Sequence, residues 1–125
     1  MAALPQKVIE AWEQREGPVV FVTVDTKGMP NAIYATCVKM ISSEKIVIAD
    51  NFFSKTKNNL AGGCMGAVLF ITKDRKSFQI KGATEYHASG AIYDDMKKWL
   101  DPKYPGHAAA VVNVNEAFSG AEKLL

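Results

Sequence analysis

Ala49-Asp50-Asn51-Phe52-Phe53-Ser54-Lys55-Thr56-Lys57-Asn58-Asn59-Leu60 is the stretch at which the pattern of this chain changes. Up to Ala49 the residues are strand formers; from Ser54 the composition turns helical, and Gly62-Gly63 closes the run. A strand end, a short turn and a helix start therefore follow one another within a dozen residues. The first turn of a helix has unpaired N–H groups and a partial positive charge, both suited to an anion. Ser54 and Thr56 would add hydroxyl donors and Lys55 a full charge. On the residues alone the turn has two readings: a cradle for a phosphate, or an ordinary N-cap at Ser54 with solvated lysines. It is not a P-loop or a dinucleotide fingerprint, since the required glycines are missing.

Upstream, residues 4–16 have the apolar spacing of an amphipathic helix, with Leu4, Val8 and Trp12 on one face and Gly17-Pro18 as the stop. Val19 to Val24, Pro30 to Ile41 and Lys45 to Ala49 read as three strands joined by short turns, hence an antiparallel meander. Downstream, Ala67 to Thr72 is a fourth strand. In the fifth, Phe78, Ile80, Gly82, Thr84 and Tyr86 alternate with polar neighbours, so one face is buried and one is wet or turned to a ligand. A second amphipathic helix carries Ile92, Met96 and Trp99 and is broken by Asp101-Pro102. A last strand spans Ala108 to Asn115. Six strands with turn-linked pairing and three peripheral helices predict a closed or partly closed antiparallel barrel, which leaves no exposed sheet edge.

Composition bounds the function. With 125 residues, 48% hydrophobic and 22% charged, the chain is expected to be one domain over 1–125 with its own core. A net charge of +2 gives no nucleic-acid footprint. No apolar run is long enough for a membrane span, and the N-terminus has no signal-peptide pattern, so the expected compartment is the cytoplasm. Cys37 and Cys64 lie far apart, and His87 and His107 are isolated, so no metal site is expected. Cys64 reads as a buried structural thiol.

The order of these elements, with "FFSKTKNNL" (52–60) after a strand end, "GAVLFITK" (66–73) and then "SFQIKGATEYH" (77–87), resembles the FMN-binding split-barrel family of pyridoxamine 5′-phosphate oxidase-like proteins. The likeness runs from about Val8 to Asn115 and is strongest to the small FMN-binding proteins and flavoredoxins. It implies a mainly β fold, a six-stranded antiparallel split β-barrel with peripheral helices. It implies FMN as cofactor and a redox role carrying electrons or hydride. Ser54, Lys55 and Thr56 match the family's phosphate-binding turn; Ile33, Tyr34, Ala35 and Thr36 match the strand along the flavin ring; Asp50 and Asn51 match the strand end that reaches the ring's polar edge or the ribityl chain.

The resemblance also implies a homodimer with the flavin at its interface, covered in part by the partner's stretch from Tyr104 to His107 and its tail with Leu124 and Leu125. The basic residues with which oxidase members grip the substrate phosphate have no counterpart, so pyridoxamine phosphate oxidation is not expected. No acid–base pair names a catalytic residue or a substrate. Tyr34, Phe52 and Phe53 either stack near the ring or fill the core, and core is the expectation for Phe53. Two other readings share the scaffold: a barrel that binds haem, with His87 or His107 as axial ligand, or a deazaflavin; and a cofactor-free dimeric interaction module.

Overall fold

The computed structural model describes residues 2–125. Its elements are α1 (Gln6–Glu13), β1 (Val19–Val24), β2 (Pro30–Ala35), β3 (Val38–Ser42), β4 (Lys45–Asp50), α2 (Lys55–Ala61), β5 (Met65–Ile71), β6 (Ser77–His87), α3 (Ala91–Trp99), β7 (Ala108–Ser119) and β8 (Glu122–Lys123). The strands hydrogen-bond in the order β2-β1-β5-β6-β7-β4-β3, with β8 paired to β7.

That order dictates the shape. Laid flat, six steps of about 4.8 Å would put β2 and β3 roughly 29 Å apart. In the chain only Thr36 and Cys37 lie between them, a link that reaches at most about 11 Å. The sheet must therefore curl until its two edges meet, and the result is the expected antiparallel split barrel.

The strand predicted over 30–41 divides in two at this closure. Its first half pairs with β1 (Val20 opposite Tyr34, Val22 opposite Ala32) and its second half with β4 (Val38 opposite Ile48). This split, together with the two-residue β8, gives eight strands in place of six. The meander is kept in sequence, but β1 and β4 flank different halves of the shared strand. Two helix bounds also shift: α1 is shorter than 4–16, with Pro5 as its N-cap, and Arg15 bridges to Thr72.

The interior is lined by the alternate residues that the period-2 pattern picks out, among them Phe21, Ile48, Val68 and Ile80, all closed to solvent. Each such side chain contributes on the order of 1.5–3 kcal/mol. α1 plugs one end through Val8 and Trp12, and the Trp12 indole meets Phe70 edge-on at 5.2 Å. β4 and β7 are buried on both faces because α3 covers their outside: Met96 and Leu100 pack on Val47, Ala49, Ala109 and Val111. The tail folds back as a hairpin, and Leu124 and Leu125 rest on the core of their own barrel.

One glycine is fixed by this topology. β7 bulges opposite β6, so that Lys81 faces Glu116 while Gly82 already faces Val114. A Cβ on Gly82 would stand 1.6 Å from the Asn113 carbonyl oxygen.

Candidate functional site

A groove runs along β2 and continues past its end, walled on the other side by the segment from Ala49 to Asn59. Toward the C-terminal end of β2 it opens into a cavity of about 320 Å³. Ile33, Tyr34, Ala35 and Thr36, the stretch that the resemblance sets along a flavin ring, form one side of it. Asn51, Phe52 and Phe53 form the other side, and Tyr104 closes it from the loop before β7. Tyr34 is 78% exposed and Phe52 81% exposed, so two aromatic side chains stand at an open mouth. Phe53 is half-buried: its ring packs on the core 6.2 Å from the Phe21 ring, the expected placement, while part of it also lines the cavity.

Near the other end of β2, a cavity of about 460 Å³ is lined by Asp25, Met29, Pro30, Asn31, Lys55, Asn58 and Asn59, so one carboxylate faces it as well as one ammonium. The predicted turn delivers its groups here unequally. Ser54 is the N-cap of α2 by position, and its hydroxyl makes no capping hydrogen bond. Lys55 is exposed and enters none of the ion pairs among the described residues. Thr56 is buried, and its Oγ1 accepts a hydrogen bond from Asn31 Nδ2 at 3.2 Å, which ties α2 to β2. Asn59 Nδ2 donates to Thr23 Oγ1 at 3.0 Å and ties the same helix to β1.

Asp50 and Asn51 support the groove from behind. Asp50 is 2% exposed; its Oδ1 accepts from the Phe53 N–H at 3.0 Å and its Oδ2 from the Tyr86 hydroxyl at 2.5 Å. A buried carboxylate needs such partners. In return, burial first and the bond to Asp50 second hold the Tyr86 phenol well above its usual pKa. Asn51 Oδ1 accepts from the Gly106 N–H at 3.1 Å, and Asn51 lines the cavity at the C-terminal end of β2. The Asp50 carboxylate thus serves the turn and β6, while Asn51 borders the cavity.

The remaining candidates fall elsewhere. His87 is engaged by Glu85, Nε2 to Oε1 at 2.8 Å, on the outer face of β6. His107 and Lys57 line a cavity of about 530 Å³ beside Phe52 and Phe53. Cys64 packs against the core with its sulfur 3.7 Å from Thr84 Oγ1. Among the described residues no group of three or more His, Cys, Asp or Glu could hold a metal ion, and no helix is long and apolar enough to cross a membrane.

Asn31, Asn58 and Asn59 line the groove without having been predicted as binding residues, and Tyr104, expected to reach a flavin from the partner, lines the cavity of its own chain. One signal for the asparagines was present: Asn58-Asn59 is a poor helix-forming pair inside a helix, and Asn31 interrupts a run of strand formers.

The family model for pyridoxamine 5′-phosphate oxidase matches residues 5–122. An uncharacterized protein of Methanocaldococcus jannaschii is 29% identical over 110 residues, covering 83% of this chain and 74% of that protein. Among solved structures, HupZ of Group A Streptococcus superposes with a TM-score of 0.83 at 20% identity over 98% of both chains. An FMN-binding protein from Syntrophomonas wolfei superposes with a TM-score of 0.71 at 20% identity, over 88% of this chain and 81% of that one. At such identities the two structures attest the fold.

Proposed function

The chain belongs to the pyridoxamine 5′-phosphate oxidase family, and from that premise we propose that it is a redox flavoprotein holding FMN in the groove along β2. The observation that carries this reading is the layout of the groove. A ring-side cavity bordered by Ile33, Tyr34, Ala35, Thr36 and Asn51 and a polar cavity with the exposed cation Lys55 are strung along one strand. Five residue steps of β2 cover about 17 Å, the span over which a tricyclic ring and a phosphorylated five-carbon chain must be held. The donors that fit the group are the Lys55 ammonium and the Asn58 amide, with the Ser54 hydroxyl at the same helix start; the Asn31 and Asn59 amides already serve Thr56 and Thr23 and hold the helix in place. Bound flavin would supply the electron or hydride chemistry. This chain's residues would orient the ring between Tyr34 and Phe52, and the Asp50–Tyr86 pair would keep the wall behind it rigid.

The active form in this proposal is a homodimer. Tyr34, Val20 and Leu69 stand in one row across β2, β1 and β5 on the outer face, and Met65, Leu69 and Ile71 are exposed beside them. A stripe of that kind on a small domain marks an interaction surface, and Tyr34 joins it to the mouth of the ring-side cavity.

Titration of the purified chain with FMN and with riboflavin, followed by quenching of flavin fluorescence, tests the reading. FMN is expected to bind more tightly than riboflavin. Lys55→Ala is expected to weaken FMN binding by about 1.5–3 kcal/mol, the scale of a charge-assisted hydrogen bond, and to leave riboflavin unchanged. Absence of quenching by FMN overturns the cofactor, and unchanged FMN affinity in Lys55→Ala overturns the phosphate site. Haem and a deazaflavin in the same titration test the other cofactors this scaffold was read to accept.

A further inference from the structure

The loop of residues 100–107 between α3 and β7 places Tyr104 in the wall of the ring-side cavity. It is fastened on two sides. Toward the groove, the Gly106 N–H donates to Asn51 Oδ1 at 3.1 Å and the His107 N–H to the Asp50 carbonyl at 2.8 Å. Toward α3, the single ammonium of Lys97 donates to two consecutive carbonyls, Pro105 O at 2.8 Å and Gly106 O at 3.2 Å. Lys97 Nζ also lies 5.8 Å from the centre of the Tyr93 ring, which limits the conformations of its long side chain. Fit is tight here as well: a Cβ on Gly106 would come 2.5 Å from a Leu100 methyl and 3.1 Å from Lys97 Nζ.

We infer that Lys97 is a positioning residue for the candidate cofactor cleft: by gripping the carbonyls of Pro105 and Gly106 it holds Tyr104 against the ring-side cavity. Lys97 is absent from the residues that line the cavity and acts on it through the loop. Without the ammonium, two carbonyls facing α3 must turn to water, and an unpaired carbonyl at a buried glycine is costly. The loop then keeps its Leu100 anchor and its groove-side bonds without the clamp, so the Gly106 and His107 N–H groups open more often and the Tyr104 wall loosens. The inference rests on the cofactor reading above for its functional half, and it separates from the phosphate site: loss of Lys97 should affect the ring end of the ligand, whereas loss of Lys55 should affect the phosphate end.

The test uses the full chain with Lys97→Met and Lys97→Arg. In the ligand-free protein, amide exchange at Gly106 and His107 is expected to speed up in Lys97→Met, while core amides of β4 and β7 keep their protection. FMN and riboflavin are both expected to bind more weakly in Lys97→Met by the same factor, roughly three- to tenfold, a fraction of the worth of a charge-assisted hydrogen bond. The visible circular dichroism of bound flavin should change as well, and Lys97→Arg should restore most of each signal. Unchanged exchange at Gly106 and His107 overturns the fastening. Unchanged flavin affinity and dichroism overturn its effect on the cleft, and a loss confined to FMN would reassign Lys97 to the phosphate end. A wild-type chain that takes up neither flavin overturns the cofactor reading and the cleft half of this inference; the exchange measurement still decides the fastening.

Discussion

Replacing Tyr86 with phenylalanine takes one hydroxyl from β6 and leaves the ring in place. That hydroxyl donates to Asp50 Oδ2, and the carboxylate it serves is buried, with its other oxygen held by the Phe53 N–H. Burial decides the magnitude. An exposed polar pair is worth about 0–1 kcal/mol, whereas a hydrogen bond to a charged group is worth about 1.5–3 kcal/mol. A domain of this size has a total stability of about 5–15 kcal/mol, so the loss is a substantial share. With about 3–5 °C lost per kcal/mol at this chain length, the midpoint of thermal unfolding at pH 7 should fall by roughly 5–15 °C.

Circular dichroism with a urea series alongside measures it. The pH dependence has a definite sign. Because the folded state holds the Tyr86 phenol above its ordinary value of 10, the contribution is whole below about pH 10. It is lost as pH rises from there through the raised folded value, and the gap between wild type and Tyr86→Phe should close. In an Asp50→Ala background the second substitution should cost much less, because the two share one interaction. A fall of under about 2 °C at pH 7, or the same cost with and without the Asp50 carboxylate, would refute the argument that this bond braces the wall of the groove.

Gly82→Ala should destabilise by at least about 2–3 kcal/mol in urea unfolding, because its Cβ meets backbone at Asn113; Gly66→Ala should cost less, since its nearest neighbour at 2.8 Å is the Thr84 methyl and not backbone, but the cost is not nil because shifting that methyl disturbs the Thr84 Oγ1 hydrogen bond to the Cys64 carbonyl. Glu85 has its pKa lowered first by the Asn113 amide and then by His87. Its contribution is therefore present above its ordinary value of 4.5 and lost as pH falls through the depressed folded value. Glu85→Gln should cost no more than about 1 kcal/mol at pH 7, and acid unfolding curves should show that cost shrinking below about pH 4.5. Light scattering should find the wild-type chain at twice its 13.6 kDa mass and Leu69→Asp at the single mass; a wild-type monomer would sink the proposed dimer.

What the sequence made legible was local. The break at Asp50 to Ser54 shows because strand composition stops and helical composition starts within four residues. The buried face of β6 was plain down to Tyr86, since period-2 alternation marks it residue by residue. The division of the 30–41 strand was hidden: Thr36 and Cys37 are good strand residues with no glycine or proline to mark a bend, and the division comes from closing the sheet. Partnerships across long separations were equally silent. Asn31 with Thr56, Tyr86 with Asp50 and Lys97 with the loop carbonyls each depend on which strands become neighbours. Tyr34 could be placed on a face relative to Ile33 by alternation, but which face lies open is set by where the helices dock.

Thr36 belongs to neither ladder: pairing of β2 with β1 ends at Ala35, and pairing of β3 with β4 begins at Val38. A strand that changes partners cannot stay fully paired while it crosses from one to the other, and an orphaned peptide group must be satisfied by something. The Cys37 carbonyl is taken by the Ala49 N–H at 2.9 Å, which leaves Thr36 between the two ladders, and Thr36 lines the ring-side cavity. Thr36 is exposed, so water serves its peptide groups in the free chain, and a planar, heteroatom-edged ring seated there would take the place of that water and splice the two ladders. Cofactor retention and barrel closure would then be two sides of one equilibrium, each strengthened by the other.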